Sequence, residues 1–314
     1  MFSKKIRFLC LLFFLLYYIM MYNCEKINLK GRYFMEKQQT LAQKVRLSGI
    51  ALHTGIRATL NLVPADENTG IVFRRIDIEG QPEVKASALN VVDVQRGTTI
   101  ASGKAVVYTV EHIMSALHSQ GIDNCIVEMD GQEPPICDGS SLPFLELVKS
   151  AGTVQQNAEA KIYTPSVPLM VSHGHTQVMI FPDPEQLSIS CVTSFKGCPF
   201  DPQFYEYVLD KDTYGAEIAP GRTFVDFKDL KMLLGMGLVK GGSLDAAAII
   251  HNGAIICKEE LRFQNEIVRH KILDLIGDLY LTGVRIRGKV VAIRPGHPMN
   301  VKLAGEIIKN MQQN

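Results

Sequence analysis

The sequence has no excess of charge of either sign. Its 33 Lys and Arg stand against 32 Asp and Glu, a formal net charge of +1. No basic stripe stands out, which argues against nucleic acid as the main partner, since phosphate-backbone binding needs a dense Lys/Arg face. One or two lysines still suffice for a phosphate-bearing small molecule. Closely spaced cysteines are missing too. The seven (Cys10, Cys24, Cys125, Cys137, Cys191, Cys198 and Cys257) form no C-x-x-C pair. They read as reduced thiols of a cytosolic protein, and a Cys-rich structural zinc site is excluded for want of a ligand pair. Short-period repeats and low-complexity segments are also lacking.

A full membrane span is missing as well. The apolar run at 8–22, behind Lys4, Lys5 and Arg7, is shorter than the ~20 residues a span needs. It resembles a signal-peptide core, yet no small-x-small cleavage site follows. Tyr22 and Asn23 are too large to precede a lipoprotein cysteine at Cys24. Two further readings stay open: translation beginning at Met35, or a membrane anchor formed by 8–22. In the anchor reading Lys26, Lys30, Arg32 and Lys37 favour a cytoplasmic C-terminal side. Both place the rest of the chain in the cytoplasm, the second at the inner face of the membrane.

What is present is ordinary globular material. The 314 residues are 46% hydrophobic and 21% charged, enough for a real core and two modest domains. Strands are expected at 58–63, 70–76 and 124–129. Val110, Ile113, Met114 and Leu117 recur at helical spacing before Gly121, predicting a helix over 109–119. Turns at Pro134-Pro135 and Asp138-Gly139 lead to a helix over 142–149. After Gln155-Gln156-Asn157 the pattern restarts. Strands are expected at 161–163, 176–181, 187–193, 246–251 and 289–293. A loop is expected at 197–204, and helices at 227–234, 267–281 and 301–311. Segments 37–157 and 158–314 each run strands first and helix late. The expectation is an α+β fold of two similar domains, each a sheet covered by helices, behind a hydrophobic extension at 1–34.

The sharpest chemical feature is His270, Asp274 and Asp278, spaced i, i+4, i+8 and hence on one helical face. Ile272, Leu273, Leu275, Ile276 and Leu279 make the rest of that helix apolar, so the stripe needs charge partners or costs several kcal/mol. A metal ion is one solution; a solvated polar face is the other. Glu111 and His112 are adjacent at a helix start, about 100° apart, so they can divide the work: His112 binding metal, Glu111 holding water. A helix-start Glu favoured by the dipole is the plainer reading. His297, in Gly296-His297-Pro298 after a strand, is placed in a loop like many catalytic residues, or is a surface residue. His173-Gly-His175 reads as a hairpin turn.

Together these segments resemble the UDP-3-O-acyl-N-acetylglucosamine deacetylases, zinc amidases of lipid A biosynthesis. The resemblance runs from about Gln38 to Leu303. It is carried by Gly49-x-x-Leu-His-Thr-Gly55, Asn68-Thr-Gly-Ile-Val-Phe-Arg-Arg75, Thr109-Val-Glu-His112, Gly121-Ile-Asp-Asn124, Pro135-Ile-Cys-Asp-Gly-Ser140, Gly221-Arg-Thr-Phe224, Lys240-Gly-Gly-Ser243, Arg269-His-Lys-Ile-Leu-Asp-Leu-Ile-Gly-Asp278 and Gly296-His297. It implies an active site between the two domains and hydrolysis of the substrate's N-acetyl group to acetate and a free amine. It implies His112, His270 and Asp274 as ligands of one zinc ion, Glu111 as general base, Thr223 at the oxyanion, and His297 as the acid oriented by Asp278. Lys271 would meet the substrate's phosphates or sugar, Phe224 would line the sugar site, and 227–250 would hold the acyl chain. The protein is expected to be a cytoplasmic monomer with the UDP-sugar as small-molecule partner; the extension at 1–34 is foreign to the family, and membrane association would come only through 8–22. A zinc deacetylase of another acylated amino sugar would keep the metal residues but change Phe224 and the acyl tunnel. A non-catalytic metal-stabilised binding protein would have no need of Glu111.

Overall fold

Alternating apolar residues build two five-stranded sheets. In Cys125–Met129, Cys125, Val127 and Met129 face inward. In Leu187–Thr193, Leu187, Ile189, Cys191 and Thr193 do the same. The protein is seen in a computed structural model that describes residues 36–195 and 198–313. The apolar run at 8–22, the readings attached to it, and Cys10 and Cys24 lie outside the described residues.

The first sheet is ordered Val45–Ile50, Arg57–Pro64, Cys125–Met129, Ile71–Arg75, Glu83–Lys85. The second is ordered Leu169–His173, Thr176–Phe181, Gly288–Ile293, Leu187–Thr193, Gln203–Val208. Counted along the chain, each sheet runs first, second, fifth, third, fourth. In each, only the fifth–third pair is parallel. Among the described residues the α-helices are α1 (Glu111–Ser119), α2 (Leu142–Ala151), α3 (Tyr214–Glu217), α4 (Phe227–Gly235), α5 (Glu266–Tyr280) and α6 (His297–Gln313). α1 and α5 each precede the fifth strand of their sheet, and α2 and α6 each follow it. Both halves also insert a three-stranded sheet between fourth strand and helix. One is Val91–Asp93, Thr99–Ser102, Ala105–Val107; the other is Phe224–Asp226, Ala248–His251, Ala254–Ile256. The α+β fold is thus the same plan used twice.

α1, α2, α5 and α6 bury their apolar faces against the sheets or one another, while α4 leaves Phe227, Met232 and Leu234 exposed. α5 lies on Leu187–Thr193 and Gln203–Val208, α6 on Leu169–His173 and Thr176–Phe181, and α2 on Val45–Ile50. α1 and α5, the equivalent helices of the two halves, pack on one another. One continuous core runs from Leu60 and Phe73 through Ile113 and Leu117 to Ile272, Leu275 and Val290.

Three segments differ from expectation. Residues 155–157 belong to strand Thr153–Glu159, which pairs antiparallel with Lys37–Leu41. The loop expected at 197–204 gives way to an edge strand at Gln203. His297 is not in a loop: it opens α6, with Pro298 in the first turn, where a missing N–H costs nothing. The turn at Gly174 and His175 does join a hairpin, Leu169–His173 to Thr176–Phe181. Among the described residues no helix is long and apolar enough to cross a membrane.

Candidate metal and proton-transfer site

The site forms where α1 crosses α5. Thr109 takes a left-handed φ of 53° and so ends the preceding chain direction just before α1 begins. Gly277 then admits the start of α1. A Cβ there would lie 2.0 Å from the Glu111 carbonyl oxygen. The approach brings Glu111 and His112 against His270, Asp274 and Asp278, none of them more than 4% exposed.

The polar stripe of α5 divides between two clusters. His112, His270 and Asp274 bring one ligand atom each within 4.8 Å of the others. Asp274 Oδ1 stands 3.4 Å from His270 Nε2 and 3.7 Å from His112 Nε2. The two rings meet edge to face, centroids 5.2 Å apart. His270 Nδ1 is 3.1 Å from the Gly221 carbonyl. With its proton on that side, Nε2 presents a lone pair inward. Asp274 Oδ2 accepts from Lys271 Nζ at 2.7 Å, while Asp274 Oδ1 is buried without any hydrogen-bond partner. Burial holds His112 neutral, its pKa pushed down to about 3, and lowers that of His270 too. Burial alone would raise Asp274, but His270, Lys271 and neighbouring histidines hold it well below the usual carboxylate range. Two neutral imidazoles, one carboxylate and an orphaned carboxylate oxygen between them fit a divalent cation, and the N/O donor set suits zinc.

The second cluster is Glu111, Asp278 and His297. His297 Nδ1 lies 2.9 Å from Asp278 Oδ2, and its Nε2 lies 3.8 Å from Glu111 Oε1. Burial works against the charged imidazole, but Asp278 and then Glu111 raise its pKa to about 9. Burial raises Glu111 to about 7, with His297 opposing. Between those values the pair is carboxylate and imidazolium, the states a base and an acid require.

Both clusters meet one cleft of about 260 Å³, lined among others by Glu111, His112, Thr223, Lys271 and His297. Thr223 is held by its N–H to the Gly139 carbonyl at 2.8 Å. Phe224 stands edge-on to Phe195 and His270. Lys271 Nζ lies 5.2 Å from the Phe224 ring centroid. Asp278, fully buried, sits behind His297. All nine residues singled out from the sequence therefore border one place.

Others were not foreseen. Thr98 donates its hydroxyl to Asp278 Oδ1 at 2.6 Å, and Asn300 donates its side-chain amide to Oδ2 at 2.9 Å. Glu266, one turn before His270, forms a buried pair with Arg222 at 2.8 Å and accepts the Arg222 backbone N–H at 3.0 Å, which fixes the chain beside Gly221 and Thr223. The only available signal was local: Asn300 follows His297 at i+3, and Glu266 precedes His270 at i−4, both helical neighbours. Thr98 offered none.

Comparison with known proteins agrees with this geometry. Residues 38–309 match the profile of the UDP-3-O-acyl N-acetylglycosamine deacetylase family. The chain is similar to a UDP-3-O-acyl-N-acetylglucosamine deacetylase of Citrifermentans bemidjiense, 42% identical over 87% of this chain and 89% of the relative. It is 41% identical to the protein of that name in Chlamydia abortus, over 88% and 98% of the two chains. It is 39% identical to that of Saccharophagus degradans, over 88% and 91%. With the profile spanning nearly all the described residues, the chain belongs to the UDP-3-O-acyl N-acetylglycosamine deacetylase family.

Proposed function

We propose that this chain hydrolyses the N-acetyl group of UDP-3-O-acyl-N-acetylglucosamine, releasing acetate and the free amine for lipid A biosynthesis. One observation carries the reading: a cation-ready cluster and a carboxylate–imidazole pair lie side by side where α1 meets α5, His297 joining from α6, and open on the same cleft. His112, His270 and Asp274 would hold zinc, which when bound polarises the amide carbonyl and lowers the pKa of water. Glu111 takes the proton from the attacking water. Thr223 donates to the oxygen on which negative charge develops. His297, kept as imidazolium by Asp278, gives its proton to the nitrogen, so the amine leaves neutral. Lys271 meets the phosphates or sugar, and Phe224 lines the sugar. The stretch 227–250, with Leu234 and Met236 more than half exposed, takes the acyl chain. The protein acts as a monomer in the cytoplasm.

The test is deacetylation of the UDP-sugar with and without chelator, beside Glu111→Gln, His270→Ala and Asp274→Ala. The reading expects chelation to abolish turnover, and Glu111→Gln to lose on the order of 10²-fold or more in kcat while keeping its metal. The two ligand variants should lose metal as well as activity. Chelator-insensitive turnover, or full metal content in either ligand variant, refutes it.

A further inference from the structure

Thr98 bonds both to Glu111 and to Asp278, the partner of His297, from a single residue. It precedes strand Thr99–Ser102 and is fully buried. Its backbone N–H donates to Glu111 Oε2 at 2.9 Å. Its hydroxyl donates to Asp278 Oδ1 at 2.6 Å and lies 3.3 Å from His297 Nδ1. Gly97 keeps this approach uncrowded: a Cβ there would sit 3.2 Å from Glu111 Oε1, a tight contact. The hydroxyl has one proton to give. Directed to Asp278 Oδ1, it leaves Oδ2 for His297 Nδ1 and Asn300 Nδ2, each at 2.9 Å. With both oxygens tied, the carboxylate plane of Asp278 cannot turn, and neither can the imidazole bonded to it. His297 Nε2 therefore stays directed toward Glu111.

We infer that Thr98 is a positioning residue for proton transfer, holding Glu111 through its backbone and the Asp278–His297 pair through its hydroxyl. The inference rests on the reading of Glu111 as base and His297 as acid given above. Orientation of this kind acts on the chemical step rather than on substrate affinity.

Two variants separate the hydroxyl from the shape of the residue. Thr98→Val keeps the volume and the backbone N–H but donates nothing from its side chain; Thr98→Ser keeps the donor. In the full chain, assayed on UDP-3-O-acyl-N-acetylglucosamine, Thr98→Val is expected to lower kcat about tenfold or more, with KM within about twofold. Bound metal per chain should be unchanged. Thr98→Ser should return kcat to within about threefold of wild type. In metal-free protein carrying isotope-labelled histidine, the His297 ring resonances, identified by their loss in His297→Gln, should move in Thr98→Val and stay in Thr98→Ser. If Thr98→Val does not fold, Thr98→Cys, with a much weaker donor, takes its place in the same comparison. Wild-type kcat without the hydroxyl, equal losses in both variants, or unmoved ring resonances overturn the inference. A metal-loaded wild type that leaves the amide intact overturns the underlying reading and this inference with it. Active wild type with an indifferent Thr98→Val overturns the inference alone.

Discussion

At the scale of single residues, the proposed mechanism depends on two groups, a base Glu111 and an acid His297, whose environments push their titrations apart. Asp278 and Glu111 raise His297 to about 9, against the cost of burying its charge. As the acid, His297 must be protonated, so kcat/KM should fall as pH rises through about 9. Glu111 must be ionised, so the rate should rise with pH on the acid side. Burial places Glu111 near 7 without metal, and a bound cation favours the carboxylate and moves that limb lower. His297→Gln should therefore erase the basic limb while keeping bound metal, at a cost on the order of 10²-fold in rate. An unchanged basic limb with near-normal turnover would show that the imidazole transfers no proton.

At the scale of elements, the contact of α1 with α5 leaves no room for a side chain at Gly277. In Gly277→Ala the new methyl would meet the Glu111 carbonyl oxygen at 2.0 Å, backbone that cannot swing aside. Expected is a loss of roughly 1–3 kcal/mol in urea unfolding, with reduced metal content and activity, because the clash falls between the two clusters. α4 is the opposite case. Leu234 is 57% exposed, so Leu234→Ala should leave stability unchanged. It should raise KM for a long-acyl substrate by up to roughly tenfold and spare a short-acyl analogue, at ~0.8 kcal/mol per methylene. Equal effects on both substrates would show that α4 does not hold the chain. Val239 is unsuited to this test: it packs on Leu52, Ile136 and Ala246 and adopts a left-handed φ of 51°. Legibility followed periodicity. Thr176–Phe181 and Leu187–Thr193 alternate cleanly, and α5 carries its apolar and polar stripes openly. Thr153–Glu159 was not legible, because Thr-Val-Gln-Gln-Asn-Ala-Glu has little apolar alternation and becomes a strand through pairing with Lys37–Leu41. Three-residue strands such as Phe224–Asp226 and Ala254–Ile256 are too short to show a period. Local pattern and family motifs pointed to the residues that gather in the two clusters, but not to Thr98, whose partner Asp278 lies 180 positions away.

At the scale of the molecule, the site is the polar centre of a fold used twice, and its groups, together with the buried His118 of α1, weigh on stability. Burial holds His112 near 3 and His118 near 4, and lowers His270. Each stays neutral when folded but takes a proton near 6.5 when unfolded, so acid favours the unfolded chain. Glu111, raised to about 7, works the other way, one group against three. The Tm of metal-free protein should fall as pH drops from about 6.5 toward 4. A flat profile there would contradict neutral buried imidazoles. At neutral pH, metal at a hundredfold its Kd should add about 2.7 kcal/mol, a gain of several degrees that chelator reverses. A Tm indifferent to metal would place the cation elsewhere.

The distances along the chain that this site spans also bear on how the protein is made. Thr98 and His297 approach each other across 199 positions. A ribosome reads the chain in one direction, at roughly 5–20 residues per second. The first five-stranded sheet has all its strands once Met129 has emerged, and the Thr98 N–H can already meet Glu111, yet Glu111 and His112 then lack their α5 and α6 neighbours. α5 supplies most of the missing groups, and His297 and Asn300 come only with the last helix. Until then the nascent first half carries a carboxylate and an imidazole that the second half must cover. The two clusters can be complete only after α6 has emerged, and loss of α6 alone would leave both sheets in place with His297, the proposed acid, missing.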